Sequence, residues 1–111
     1  MKKELREYID NHEANRRFVT VHTDATLEVV IQGQSGYRIC VTYIKLITNG
    51  TFRTTMYDGE TAIYSQHDVS NVDVSFDLRN EPLILSEGNS LSFANDSLQY
   101  VDTWIEYFLI D

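Results

Sequence analysis

The fold is decided by the stretch YRICVTYIKLITNGTFRTTMYDGETAIY, residues 37–64. β-Branched and aromatic residues fill it, which is the composition of β-strands. Asn49-Gly50 and Asp58-Gly59 interrupt the stretch, and both dipeptides favour the positive φ angles of tight hairpin turns. The sequence therefore predicts three strands joined by two hairpins.

The long first strand of this stretch changes its inward face. Its apolar residues switch parity half-way along, from Ile39 and Val41 to Ile44 and Leu46. Because side chains alternate strictly along a regular strand, one extra residue has to shift the register between the two pairs. We predict a bulge or bend at residues 42–43.

The rest of residues 18–111 also has strand character. VDVSFDL, residues 72–78, alternates apolar and polar side chains. Turn-forming residues recur about every ten positions and divide the region into about nine short strands. Parallel strands need crossover helices, and this region has no helical pattern. We predict an all-β domain over residues 18–111, an antiparallel β-sandwich or jelly roll.

Residues 1–17 have a helical pattern instead. Leu5, Tyr8, Ile9 and His12 fall on one face and form a narrow apolar stripe. A helix this short is marginal in isolation and has to pack on another surface. We predict a short N-terminal helical arm, which either docks on a neighbouring chain or covers its own domain.

The charge is negative and unevenly distributed. The net charge is −8, yet residues 1–17 contain five basic and four acidic residues, so that the remaining chain carries −9. Such a surface repels phosphate backbones, and we expect no nucleic-acid binding by the sheet domain. Acidic excess also favours solubility.

Compartment and membrane signals are few. The N-terminus MKKELREYID has no apolar run after its lysines, and no stretch is long and apolar enough for a membrane span. A single cysteine, Cys40, excludes an internal disulfide. We expect a protein made in a cytoplasm, without a membrane partner.

Catalytic and metal-binding patterns lack support. GQSGY, residues 33–37, does not have the spacing of a nucleophile elbow, because glycine follows the serine directly. His12, His22 and His67 are far apart, and Cys40 has no histidine beside it. We therefore predict a non-enzymatic protein with no catalytic residues, no metal site and no cofactor.

The last strand, YVDTWIEYFLI at residues 100–110, has two different faces. Val101, Thr103, Ile105, Tyr107 and Leu109 share the face with the better claim to the core. Trp104 and Phe108 then lie among acidic residues on the other face, where large aromatics with a polar rim are typical of interface anchors. We predict an interface formed by Trp104, Phe108 and the arm residues Leu5, Tyr8 and Ile9. The alternative is that the arm covers Trp104 within the same chain.

Residues 37–110 resemble the small jelly-roll decoration or cement proteins of tailed bacteriophage heads. The resemblance lies in the long strand, its following turns, the closing run VDTWIEYFLI and a P-x-x-L-x-x-G-x-x-L segment. Pro82, Leu85, Gly88 and Leu91 match that segment at its spacing. The N-terminal helix falls outside the match.

The resemblance implies a virion protein that binds the capsid surface in many copies and stabilises it. Its partner would be the major capsid protein or another virion protein, and self-association, for example as a trimer, is expected. The alternative is a carbohydrate-binding sandwich of a fibre or adhesin. Its candidate sugar-stacking residues are Tyr37, Tyr43, Tyr57, Tyr64 and Trp104.

Overall fold

The computed structural model describes residues 5, 7, 10, 11, 16–23, 27–48, 52–68, 73–95 and 101–110. Nine strands lie within these ranges: β1 (Arg17–Thr23), β2 (Glu28–Ile31), β3 (Arg38–Thr48), β4 (Phe52–Asp58), β5 (Thr61–Asp68), β6 (Asp73–Asp77), β7 (Leu83–Ile84), β8 (Leu91–Asn95) and β9 (Val101–Ile110). Every pairing between them is antiparallel. The predicted all-β class is confirmed.

Two sheets face each other. The first sheet has the order β1-β9-β3-β6, with β7 also paired to β3, and the second has the order β2-β8-β4-β5. The partners are nested along the chain, because β1 pairs with β9, β2 with β8, β3 with β6 and β4 with β5. This nesting is the double Greek key of a jelly roll.

The two turn dipeptides have different outcomes. Asp58-Gly59 closes the predicted hairpin, since Asp58 pairs with Thr61 and Gly59 has a φ of 62°. The hairpin predicted at Asn49-Gly50 is wrong, because β3 lies in the first sheet and β4 in the second. That dipeptide lies outside the described residues, and the chain changes sheets between Thr48 and Phe52.

The predicted irregularity in β3 is confirmed. The register of β3 against β9 shifts between Val41 and Tyr43, which leaves Thr42 as the extra residue of a bulge. Thr42 is buried, and its hydroxyl donates to the Glu106 carbonyl oxygen at 3.2 Å. The shift lets both halves of the strand direct apolar side chains into the core.

The core lies between the two sheets. Its largest fully buried members include Ile39, Ile44 and Leu46 from β3, Ile105 from β9, and Met56, Leu91 and Phe93 from the second sheet. Leu85 also belongs to this core, and Gly88 has a φ of 78° in the turn that follows it. Both leucines of the P-x-x-L-x-x-G-x-x-L segment, Leu85 and Leu91, therefore lie in the core.

Among residues 1–15, four are described, and all four are helical: Leu5, Glu7, Asp10 and Asn11. Leu5 packs on a small apolar cluster of Cys40, Phe108 and Ile110, which is separate from the main core. No helix in the described part of the chain has the length and hydropathy of a membrane span. Strand β1 begins at Arg17, one residue before the predicted start of the all-β domain at residue 18.

Candidate functional site

The side of the first sheet that faces away from the second sheet carries the candidate site. On β9, Thr103 and Ile105 are buried towards the core, so Asp102, Trp104 and Glu106 alternate onto the opposite side. We call the following set the outer face: Phe18 and Thr20 from β1, Tyr43, Lys45 and Ile47 from β3, and Asp102, Trp104 and Glu106 from β9.

The strand register arranges the outer face in rows. Glu106 lies opposite Phe18 on β1 and opposite Tyr43 on β3. In the next row, Trp104 lies between Thr20 and Lys45, and in the third row Asp102 lies opposite Ile47. Cross-strand neighbours in such rows are within contact distance, so the aromatic and charged side chains form one continuous surface.

Trp104 is held in a fixed orientation by its neighbours. Its ring centroid lies 5.2 Å from that of Phe18, with the two planes tilted by 41°. Its Nε1–H donates to Glu106 Oε2 at 2.9 Å, while Arg16 Nη1 donates to Glu106 Oε1 at 2.9 Å. The Arg16 guanidinium carbon also lies 5.1 Å from the Phe18 ring centroid, within cation–π range. The four side chains therefore form a closed array.

Much of the apolar area of the outer face is open to solvent. Phe18 is 52% exposed, Ile47 46% and Trp104 36%. An open depression of about 700 Å³ lies on this face, lined by Thr20, Tyr43, Lys45, Ile47, Asp102, Thr103, Trp104 and Glu106. Large aromatics exposed beside charged groups are typical of a binding surface.

Among the predicted interface residues, Phe108 requires a correction. Its side chain is only 1% exposed, whereas the sequence analysis placed it on a partly exposed face. Strand alternation assigned Phe108 to the correct side of the sheet, but Leu5 and Ile110 pack against its side chain and cover it. Trp104, in contrast, is exposed as expected. Whether either residue contacts another subunit stays a prediction.

The arm residues have mixed outcomes. Leu5 is half-buried on its own chain, next to Cys40 and Phe108, which agrees with the alternative that the arm covers its own domain. It covers Phe108, however, and the exposed part of Trp104 remains open. Tyr8 and Ile9 lie outside the described residues.

The described residues offer little chemistry for catalysis. No group of three or more His, Cys, Asp or Glu side chains within them could hold a metal ion. Burial raises the pKa of the Cys40 thiol to about 12, so it stays protonated at neutral pH and is a poor nucleophile.

Sequence reasoning missed Phe18 and Ile47 on the outer face, and also Arg16, which binds Glu106. The signal for Phe18 is present in the sequence, because Val19 and Val21 alternate with polar neighbours on one side of a strand and Phe18 must point to the other side. Strand alternation likewise assigns Ile47 to the outer face once the bulge in β3 is taken into account. The pairing of Arg16 with Glu106, ninety positions apart, has no local signal.

No family model matches the sequence, and no curated protein matches it either. Among solved structures, one of Bacillus endospore appendages, a family of disulfide-linked pili, is 13% identical with a TM-score of 0.51. That match covers 86% of this chain and 88% of the other. Tobacco streak virus coat protein is also 13% identical, with a TM-score of 0.41 over 85% of this chain and 86% of that chain. The structure of the Tobacco streak virus coat protein dimer is 13% identical, with a TM-score of 0.43 over 88% of this chain and 88% of that chain.

The strand order and pairing define the class of the protein by its fold. At 13% identity, the endospore appendage structure supports the shared fold alone, and the two coat-protein matches are too distant to support a conclusion. The chain is a jelly-roll protein that exposes an aromatic face on one of its two sheets.

Proposed function

We propose that this protein is a non-enzymatic structural subunit that binds a larger protein assembly through its outer face. The observation that carries the proposal is the array of Arg16, Phe18, Trp104 and Glu106 on the first sheet, in which Phe18 and Trp104 are exposed to solvent. A β-sheet presents these side chains on a rigid support, which suits docking against another folded protein.

The array meets the physical requirements of an interface anchor. Interface hot spots are enriched in tryptophan, tyrosine and arginine, surrounded by contacts that exclude water. The indole N–H of Trp104 already donates to Glu106, so burying the ring against a partner leaves no donor without an acceptor. The Glu106 carboxylate is likewise already bonded to Arg16.

More specifically, we propose a decoration or cement protein of a bacteriophage capsid, located in the virion and bound to the major capsid protein or another virion protein. The resemblance over residues 37–110 and the jelly-roll topology support this assignment. Many identical copies on a shell also gain avidity, so each outer face needs only modest affinity. We expect self-association into a symmetric oligomer, for example a trimer.

Co-sedimentation with phage capsids that lack this subunit tests the proposal. We expect saturable binding by the natural protein and a loss of roughly 30-fold or more in affinity for Trp104→Ala, the range of an interface hot spot. Tyr37→Ala is the matched control, because Tyr37 is 44% exposed but lies in the loop before β3, off the outer face. Binding of Trp104→Ala at full strength would refute the docking role of the face.

The second candidate function is carbohydrate binding, and one observation favours it. Tyr43 and Trp104 line the same depression, with the carboxylate of Asp102 beside them. Aromatic faces with adjacent hydrogen-bonding groups suit a sugar ring. A glycan array decides between the candidates, because a sugar site predicts binding by the monomer that both Tyr43→Ala and Trp104→Ala abolish.

A further inference from the structure

A second candidate site lies between the two sheets, away from the outer face. Strands β6 and β7 both pair with β3, on either side of its bulge: Asp77 lies opposite Tyr43, and Leu83 lies opposite Val41. Between them, residues 78–82 leave the sheet and return. The Leu78 N–H donates to the Thr42 carbonyl oxygen at 2.8 Å, which fixes the start of this excursion at the bulge.

The excursion leaves a slot of about 130 Å³ beneath it. Its described lining consists of six apolar residues and one acid: Ile44, Met56, Phe76, Leu78, Pro82, Leu83 and Glu81. Ile44 and Met56 come from opposite sheets and are each only 1% exposed, so the slot extends into the interior of the sandwich. It shares no residue with the outer face.

The lining determines what the slot accepts. Water needs two to four polar partners, and six apolar side chains offer none. A cavity of roughly 150 Å³ lined by similar side chains stays dry and binds benzene. The Met56 thioether is unbranched and adaptable, which helps it to fit ligands of different shape. Glu81 is exposed and adds a carboxylate to an otherwise apolar lining.

We propose that this slot is a binding site for a small apolar molecule of about one ring, with a preference for one that carries a cationic group. The ring packs against Ile44 and Met56, and the cation faces the Glu81 carboxylate. This site is independent of the proposed structural role, since neither its residues nor its test involves the outer face.

Methyl NMR of the full chain tests the site with toluene and benzylammonium as the probes. The chain has two methionines, Met1 and Met56, so labelled methionine methyls give one signal in the slot and one internal control. We expect both probes to shift the Met56 methyl resonance saturably and to raise the melting temperature. Benzylammonium should bind about two- to fivefold more tightly than an equally sized neutral ring at low salt, and Glu81→Gln should remove that advantage.

Leu83→Phe fills the slot and should abolish the response of Met56. Ile84→Phe is the matched control, because Ile84 is the next residue, is 38% exposed and does not line the slot. Leu78→Phe fills the slot from the other end of the excursion and replaces Leu83→Phe if that variant does not fold. A linear, unsaturable shift, or an unchanged response in a folded slot-filling variant, would overturn the proposal.

Discussion

At the residue scale, the outer face depends on Glu106. One carboxylate oxygen accepts from Arg16 and the other from Trp104, both at 2.9 Å. The Arg16 and Glu106 side chains are 25% and 15% exposed, so their ion pair is less screened than a typical surface pair. The orientation of the indole ring is thus set by a neighbour two positions along the same strand.

Glu106→Gln should lower the free energy of unfolding by about 0.5–1.5 kcal/mol, because it keeps an acceptor for Trp104 but loses the charge opposite Arg16. Glu106→Ala should cost more, since both donors lose this acceptor. Urea denaturation of the three proteins measures the difference. Equal stabilities for the two variants would show that the bond to Trp104 contributes nothing.

Gly33 is a second residue on which the fold depends, for a steric reason. A Cβ at this position would overlap the Gly88 carbonyl oxygen and the backbone of Asn89. The Gly33 N–H also donates to Ser90 Oγ at 2.8 Å, which holds the two loops in this close approach. The sequence shows a glycine here but not the second loop against which it packs.

We expect Gly33→Ala to destabilise the protein by roughly 1–3 kcal/mol, the usual cost of overpacking. Gln34→Ala is the control, because the neighbouring Gln34 side chain is exposed. Thermal or urea unfolding measures both. A Gly33→Ala variant as stable as the natural protein would mean that the loops separate at little cost.

At the element scale, the helical residue Leu5 covers one end of the outer side of the first sheet. Leu5 contacts the cluster of Cys40 and Phe108, and both of these residues are almost completely buried. Strand alternation predicted the side on which Phe108 lies. It could not predict that Leu5 lies over Phe108 and leaves Trp104 open, because that depends on where the arm crosses the sheet.

The reactivity of the Cys40 thiol tests whether Leu5 covers this cluster. Since its pKa is raised from 9.0 to about 12, alkylation by iodoacetamide at pH 8 should be slower than for a free cysteine by about 1000-fold or more. Leu5→Asp should speed alkylation by removing the apolar contact of this residue with Cys40 and Phe108, whereas Leu27→Asp, at an exposed residue before β2, should not. Equal rates for both variants would contradict the covering role of Leu5.

The raised pKa of the Cys40 thiol predicts that the free energy of unfolding depends on pH. The unfolded chain ionises Cys40 above about pH 9, but the folded chain resists ionisation until about pH 12. The unfolded state therefore releases a proton that the folded state retains, and the contribution to stability falls as the pH rises through this window. Cys40→Ala should show a weaker decline from pH 9 to 11, measured as the difference between the two urea-denaturation series.

The turns show the limit of local sequence reasoning at this scale. Asp58-Gly59 and Asn49-Gly50 carry the same turn chemistry, yet only Asp58-Gly59 joins two strands that pair. Turn dipeptides report the local backbone preference, whereas the sheet that a strand joins is set by distant partners. For β3 these partners are β9, β6 and β7, all more than twenty residues away.

At the scale of the whole molecule, the nested pairing makes the fold strongly non-local. Strands β1 and β9 pair from opposite ends of the sandwich domain, as do β2 and β8 one step further in. Composition and alternation were sufficient to predict a sandwich or jelly roll, because each strand carries its own pattern. The order of strands within the sheets depends on pairings that no local pattern encodes.

This topology predicts slow folding. Proteins dominated by non-local pairing fold in milliseconds to seconds, because loop-closure entropy has to be overcome before the distant contacts form. We expect a folding time of roughly milliseconds or longer in stopped-flow refolding, followed by Trp104 fluorescence. A folding time of tens of microseconds would show that local structure dominates the transition state.

The single concealed cysteine also makes the molecule a convenient host for reporter groups. Because Cys40 is the chain's lone thiol and is buried, a second cysteine engineered at an exposed position can be tagged alone, without first removing the native one. A dye or spin label walked across Phe18, Ile47 and Tyr37 would then map, position by position, where a bound partner shields the surface.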